Sequence, residues 1–321
     1  MRILIVTPER AGSRKGNRIT AVRWAGLLRG LGHRVALSQH FEGQPCDLLI
    51  ALHAWRSAAA VRRFRRERPR APLVLVLGGT DLYRDMKRRA SRRRVLEALA
   101  LADRLVTLNT ESVRQVPARF RAKVRCILQS VPAAGTPPPR PARGGDFLVC
   151  VVGHLRMEKD PLRPAYALRR LPRASRIRVE QAGRALDPVW QRRAEAEMKR
   201  NPRYRWLGEL NAAQVRRLLA RADLLVHPSR MEGGANAIGE AVRAGLPVLL
   251  TRIPGNVGLL GRDYPGYFPV GATGTLARLL LRAETQPEFL GRLRRSVRRL
   301  APRFAPAREA RAWRRLIAER V

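Results

Sequence analysis

Two glutamates, Glu232 and Glu240, stand in a stretch whose residue types predict an anion site followed by a carboxylate. The pattern predicts a buried strand over Asp223–His227, a glycine-containing loop, a helix over Asn236–Ala244 with Asn236 at its cap, and a second strand over Pro247–Leu250. The first N–H groups of a helix have no partner within the helix, so they favour an anion. Glu240 falls inside the helix, where its carboxylate could accept both hydroxyls of a ribose. The stretch therefore predicts a nucleotide-sugar site; the plainer alternative is a βαβ crossover with solvated acids.

Length and composition predict two domains that position this stretch. The chain has 321 residues, of which 45% are hydrophobic, enough for two cores of roughly 150 residues each. A proline-rich segment divides them. The predicted organisation is an N-terminal domain over residues 1–130, a linker over 131–145, a second domain over 146–300 and a C-terminal helix over 301–321. Buried strands alternating with helices indicate an α/β fold with parallel, doubly wound sheets.

The net charge of +40 suggests nucleic acid as an alternative partner. Arginines nevertheless occur in nearly every predicted helix, with no basic tail and no zinc-finger spacing, so solvated helix faces explain most of the charge. Three widely separated cysteines favour neither disulfides nor a metal site. The apolar start of the chain is interpreted as a strand, not a signal peptide, and no apolar run is long enough to span a membrane. These features predict a soluble cytoplasmic protein with small-molecule substrates, no metal, no cofactor and no specific nucleic acid.

Polar residues follow the predicted strands of the first domain. Strands are predicted at residues 2–7, 47–52, 73–77 and 104–108, and a helix is predicted over Ile19–Leu31. His53 follows the second of these strands, and Thr80 and Asp81 follow the third. The carboxyl ends of parallel strands hold ligands, so these three residues are predicted to share a site. Gly16 and Asn17 precede the first helix; they are interpreted as a backbone approach to a donor diphosphate or an acceptor, or else as a solvated loop.

The order strand, Pro-Ser, Glu-x7-Glu, then Ala-x3-Gly-x-Pro-Val resembles the donor signature of family-4 glycosyltransferases of the GT-B fold. The resemblance implies two Rossmann-like domains facing across a cleft, with the last helix crossing back to the first domain. It assigns Glu232 to the sugar, Glu240 to the ribose, and the loop of Gly233, Gly234, Ala235 and Asn236 to the diphosphate and hexose. It also implies that Gly153, Arg156 and Lys159 meet the donor diphosphate, that Gly183 lines the site, and that Leu207 and Leu210 pack the uracil. Asp160 stands where the family commonly has glycine.

Three N-terminal segments are similar to the selenosugar synthases of selenoneine biosynthesis: GNRITAVRWAGLLRGLGHRV, DLLIALHAWRSA and GTDLYRD. That family joins selenophosphate to C1 of a UDP-sugar, chiefly UDP-N-acetylglucosamine. The resemblance implies that His53, Thr80 and Asp81 lie near C1 and that Lys15, Arg18 and Arg56 hold the acceptor phosphoryl group. Selenophosphate is already an anion, so no strong general base is required. The alternatives are a family-4 enzyme with a hydroxyl acceptor and, more remotely, a basic nucleic-acid-binding protein.

Overall fold

The computed structural model describes residues 1–13, 15–132 and 145–319, which form two compact units. The first unit contains Met1–Ser130, Glu232–Gly234 and the final segment from Pro306. The second contains the described parts of Val131–Met231 together with Ala235–Ala305. The predicted linker lies outside the described residues except for Val131, Pro132 and Gly145. The inclusion of Glu232–Gly234 in the first unit was not anticipated from the sequence.

The first unit is built on a parallel sheet of six strands, arranged β2-β1-β3-β4-β5-β6. The strands are β1 Arg2–Val6, β2 Arg34–Ser38, β3 Leu48–Leu52, β4 Leu73–Leu77, β5 Arg104–Thr107 and β6 Val124–Cys126; the helices are α1 Gly16–Gly30, α2 Ala58–Glu67, α3 Arg89–Leu101 and α4 Ser112–Gln115. Strands β3 and β4 are uniformly apolar and fully buried, as expected where helices cover both faces of a parallel sheet.

Two strands of this sheet were missed, and the start of α1 was placed too late. Strand β2 is a partly exposed edge strand and β6 has only three residues, so neither carries a strong apolar pattern. Helix α1 begins at Gly16 and not at Ile19. The prediction missed its first residues because they are largely solvent-facing and add nothing to the helical periodicity of apolar residues.

The second unit contains another parallel sheet, arranged β12-β11-β10-β7-β8-β9. The strands are β7 Phe147–Val152, β8 Ile177–Ala182, β9 Tyr204–Trp206, β10 Leu224–His227, β11 Val248–Thr251 and β12 Tyr267–Phe268; the helices are α5 Arg163–Leu168, α6 Pro188–Arg200, α7 Ala212–Arg221, α8 Asn236–Arg243, α9 Pro254–Leu260, α10 Thr273–Thr285 and α11 Pro287–Leu300. These two sheets confirm the predicted α/β class.

A last helix, α12 at Pro306–Ala318, belongs to the first unit. Its Glu309 carboxylate is buried and accepts hydrogen bonds from Trp24 Nε1 at 2.6 Å and Ser130 N at 2.9 Å. Trp313 packs edge-on against Trp24, with the ring centroids 4.8 Å apart. The helix is therefore fixed to α1. Among the described residues, no helix is long and apolar enough to cross a membrane.

Both sheets reverse their strand order at one point. In the first sheet the reversal falls between β1 and β3, and in the second between β7 and β10. Loops that leave neighbouring strands in opposite directions open a crevice at the carboxyl ends of those strands, where α/β proteins bind ligands. The loops after β1, β3, β7 and β10 are therefore where each unit is expected to carry chemistry.

Candidate active site

In the second unit, two glycines bring the ends of β7 and β8 into backbone contact. A Cβ on Gly183 would overlap the carbonyl oxygen of Gly153, so only glycine fits there. Gly153 N donates to Ala182 O at 2.9 Å, and Gly183 N donates to Gly208 O at 2.7 Å. The predicted binding residues Gly153 and Gly183 thus have a packing role at the strand ends. The predicted uracil contacts Leu207 and Leu210 are half-buried in the loop just after β9.

The loop after β7 carries the two cations predicted for the diphosphate. Arg156 is partly exposed, and its Nε lies 4.0 Å from the Glu158 carboxylate, at the outer limit of an ion pair. The aliphatic part of Lys159 runs beside Gly153, within 4 Å of where a Cβ would stand. The structure therefore brings Lys159 alongside the end of β7.

Asp160 occupies the position in this loop where family-4 glycosyltransferases, which the chain resembles, commonly have glycine. Its φ is +45°, the left-handed conformation that glycine adopts most easily. The buried carboxylate pairs with Arg163 Nε at 2.9 Å and lies 3.9 Å from Arg230 NH2. Arg230 N also donates to Glu158 O at 2.8 Å. The ion pairs offset the backbone strain, and the loop after β10 is tied to the loop after β7.

Helix α8 places Glu240 as the sequence predicts, but its cap differs. Ala235 occupies the cap position and makes no side-chain cap hydrogen bond, so the prediction of an Asn236 cap is wrong: Asn236 is the first helical residue. Glu240 is half-buried, and its side chain makes no hydrogen bond or ion pair within the described residues. Burial raises the pKa of Glu240, while Arg216 acts in the opposite direction. An unpaired, partly desolvated carboxylate in a loop-helix site is typical of a ligand contact.

The Glu232–Gly234 segment packs within the first unit. Gly233 O accepts a hydrogen bond from Asn109 Nδ2 at 2.6 Å, and a Cβ on Gly233 would overlap the carbonyl of Gly78. Gly79 has a φ of +103°, and a Cβ there would strike Gly233 N. This backbone approach requires glycine at both positions. The neighbouring predicted residues are also closely packed: a Cβ on Gly234 would crowd Leu108, and Glu232 is buried.

Asp81 is an anchor for the turn after β4. Its carboxylate is fully buried and accepts four backbone hydrogen bonds, from Ala54 N at 3.1 Å, Gly78 N at 3.0 Å, Gly79 N at 2.8 Å and Leu82 N at 3.1 Å. Four such bonds occupy the lone-pair positions of a carboxylate. Asp81 therefore shapes the loop around Thr80 and is not available as a base.

His53 and Thr80 lie together, as predicted. His53 Nε2 is 2.9 Å from Thr80 Oγ1, and Arg56 N points at His53 Nδ1 from 3.4 Å. An N–H directed at Nδ1 makes that nitrogen the acceptor, which puts the proton on Nε2 and leaves the Thr80 hydroxyl proton free to donate. Burial lowers the pKa of His53, against the opposing effect of Asp81. The backbone of His53 has a left-handed conformation, with a φ of +77°. Backbone strain of this kind is typical of functional positions.

Glu9, which the sequence reasoning missed, joins two of the predicted acceptor residues. Lys15 Nζ lies 3.2 Å from Glu9 Oε2, and Arg56 NH1 lies 2.8 Å from Glu9 Oε1. The Glu9 side chain is 9% exposed, against 51% for Lys15 and 38% for Arg56, so the acid is enclosed while the cations stay accessible. A single acid in the basic loop PERAGSRKGNR was the available signal.

The remaining predicted residues of this region do not join the cluster around Glu9 through their side chains. Arg18 is half-buried and makes no side-chain hydrogen bond or ion pair to a described residue. Asn17 Oδ1 lies beside Gly78, while Gly16 is exposed at the start of α1. Within the described residues, no three His, Cys, Asp or Glu side chains form a group that could hold a metal ion.

The chain is similar to several known glycosyltransferases. Residues 136–300 match the family model described as "Glycosyl transferases group 1". A protein from Xenopus tropicalis, "Glycosyltransferase 1 domain-containing protein 1", is 24% identical, over 91% of this chain and 90% of its own length. HepE of Anabaena, solved with UDP and glucose, superposes with a TM-score of 0.78 at 17% identity, covering 99% of this chain and all of HepE. Sucrose-phosphate synthase of Thermosynechococcus elongatus gives 0.81 at 14% identity, covering 99% of both chains. These likenesses confirm the predicted GT-B fold.

Proposed function

The chain belongs to the group 1 glycosyl transferases, and from this premise we propose that it transfers a sugar from a UDP-sugar to selenophosphate. The second unit would hold the donor and the first unit the acceptor. The donor would be UDP-N-acetylglucosamine, as the resemblance to selenosugar synthases implies.

The unpaired carboxylate of Glu240 carries the donor half of the proposal. Its partial burial without a partner costs free energy that two ribose hydroxyls would recover by donating to it. Arg156 and Lys159, in the loop after β7, supply fixed positive charge for the diphosphate. Charge develops on UDP as the glycosidic bond breaks, and fixed cations stabilise it without reorganising. HepE, which shares the fold, was solved with UDP-glucose as well as with UDP.

The acceptor half is supported by the N-terminal resemblance and by the state of Asp81. In the reaction the selenium electron pair bonds to C1 while the bond from C1 to the UDP oxygen breaks, and UDP leaves with that electron pair. The nucleophile is anionic before it binds, so it does not require a base. The Asp81 carboxylate already accepts hydrogen bonds from four backbone N–H groups and is not available as a base, which fits a reaction that needs none. The exposed ends of Lys15 and Arg56 provide cations for a phosphoryl group.

One observation favours a second candidate, a hydroxyl acceptor. Glu9 sits between Lys15 and Arg56 and reduces the positive charge of the pair. A carboxylate can accept a hydrogen bond from a sugar hydroxyl directly. The two candidates share the donor site and differ only in what the first unit holds.

Mass spectrometry of the purified protein separates them. The protein is incubated without oxygen with UDP-N-acetylglucosamine, alone and with selenophosphate. A selenium-bearing sugar and UDP that appear only when both substrates are present would support the proposal. UDP-sugar binding without that product would assign the chain another acceptor, whereas no binding of UDP-sugar would reject the donor site as well.

A further inference from the structure

Glu9, Lys15 and Arg56 meet where the strand order of the first sheet reverses. Glu9 follows β1, Arg56 follows β3, and these two strands are direct neighbours. Lys15 stands at the cap of α1. An acid and two basic residues from two separate loops, the one after β1 and the one after β3, therefore converge at the position where this fold class binds ligands.

The cluster keeps unused hydrogen-bonding capacity of both signs. Lys15 and Arg56 each contact Glu9 through one nitrogen, while an ammonium has three donors and a guanidinium five. Each Glu9 oxygen contacts one cation, and a carboxylate has about four acceptor positions. The enclosed acid and the accessible cations can therefore bind one molecule together, provided that it offers both acceptors and a donor.

A tetrahedral oxyanion that retains a proton has this combination of groups. We propose that Glu9, Lys15 and Arg56 form a subsite for a protonated phosphoryl anion, in which Glu9 accepts the hydrogen bond from the P–OH group and the two cations bind the other oxygens. This inference rests on the proposed function, because the subsite would hold the phosphoryl end of the acceptor. Glu9 becomes a specificity-determining residue, because its carboxylate can accept a hydrogen bond only from an anion that retains a proton.

The proposal predicts discrimination between anions of equal charge. At mildly alkaline pH, inorganic phosphate is mostly a dianion with one proton left, while sulfate is a dianion with none. Sulfate would place an oxygen lone pair against the Glu9 carboxylate, and no proton would join them. Hydrogen bonds to a charged group are strong enough that phosphate should bind about tenfold more tightly than sulfate, or better.

Isothermal titration of the whole protein with phosphate and with sulfate tests this, at fixed ionic strength and with UDP present at saturation. UDP fills the diphosphate site of the second unit, so that site does not contribute. Glu9→Gln should bring the phosphate-to-sulfate affinity ratio close to one, because an amide can donate to either anion. The absolute affinities of both anions should rise in this variant, since a negative charge is gone, so the ratio is the decisive quantity.

Two further variants keep the test interpretable. Arg56→Gln should weaken both anions and preserve the ratio, since Glu9 remains. Glu67→Gln removes an acid from the surface ion pair with Arg63 on α2 and should leave both affinities unchanged. A wild-type ratio near one, or a Glu9→Gln variant that folds and retains the preference, would overturn the proposal.

The outcome is independent of the product assay. Phosphate selectivity without a selenium-bearing product would keep the subsite and assign it another phosphorylated acceptor. Product formation without phosphate selectivity would reject the subsite and leave the proposed reaction in place.

Discussion

Asp81, in the turn after β4 of the first unit, and Glu240, inside helix α8 of the second, are both carboxylates, yet their surroundings differ sharply. Asp81 is fully buried and accepts four backbone hydrogen bonds. Glu240 is half-buried and has no such partner among the described residues. The first arrangement stabilises a loop, and the second leaves binding capacity for a ligand. The two carboxylates therefore differ in burial and, more tellingly for function, in whether their hydrogen-bonding capacity is already satisfied.

Glu9 represents a third arrangement. Its carboxylate is enclosed like that of Asp81, but its partners are two accessible side chains and not backbone. Side-chain cations can turn toward a ligand, while backbone N–H groups in a tight turn cannot. Glu9 is thus an acid of the first unit that is suited to take part in binding.

Asp81→Ala should give the largest effect, and it should be on stability. The substitution leaves four backbone donors without an acceptor, and each unsatisfied buried group costs roughly 1 to 3 kcal/mol. We expect the free energy of unfolding to fall by about 4 kcal/mol. Denaturant titration followed by circular dichroism measures it. A loss below about 1 kcal/mol would mean that the turn does not depend on Asp81.

Glu240→Ala should have its effect on ligand binding. Loss of a charged contact to two hydroxyls should weaken UDP-sugar binding by about 2 to 4 kcal/mol. The free energy of unfolding should hardly change, because the side chain has no partner to lose. Calorimetric titration with UDP-N-acetylglucosamine and a parallel denaturant titration give the two numbers. Unchanged donor affinity would remove Glu240 from the site.

Arg156→Ala extends the comparison to a cation. The contact of Arg156 with Glu158 is long and partly exposed, so stability should change by no more than about 0.5 kcal/mol. Turnover should fall roughly 100-fold if the guanidinium stabilises the departing diphosphate. Steady-state kinetics measure the loss of turnover, and a thermal melt of the same variant measures the change in stability. Equal losses of turnover and stability would instead indicate a structural role.

The smallest effect is expected in the pH dependence of stability. Burial raises the pKa of Glu240 above its ordinary value of 4.5, so the folded protein takes up a proton there more readily than the unfolded chain. The ionised carboxylate therefore costs stability at neutral pH, and the cost disappears as the pH falls through the raised pKa toward 4.5. Glu240→Gln should be more stable than wild type at neutral pH and equal to it in acid. Thermal melts across this range would show the difference; a constant offset would contradict it.

The secondary structure of the stretch proposed to bind the donor was largely predictable because its signals are local. A strand, a glycine loop, a helix and a second buried strand follow one another from Leu224 to Thr251, and the boundaries differ from those predicted by a residue or so. The cap was misassigned because Asn236 resembles a capping residue, while the position is decided by backbone conformation at Ala235.

The first unit was harder to predict because its contacts are distant in sequence. Glu9 and Arg56 are 47 residues apart, and no local pattern links them. The four donors to Asp81 include Ala54 N, which only the pairing of β3 with β4 brings near. The predicted roles of His53, Thr80 and Asp81 near C1 rest on resemblance and stay predictions. The structure adds that Asp81 would act through the loop it holds.

The proposed ribose contact of Glu240 is tested most directly by combining a change in the protein with a change in the ligand. Calorimetric affinities of UDP and of 2′,3′-dideoxyuridine diphosphate are measured for wild type and for Glu240→Ala. If Glu240 accepts both hydroxyls, removing them should weaken binding to wild type by at least about tenfold and leave binding to the variant nearly unchanged. An equal loss in both proteins would show that the unpaired carboxylate does not hold the ribose.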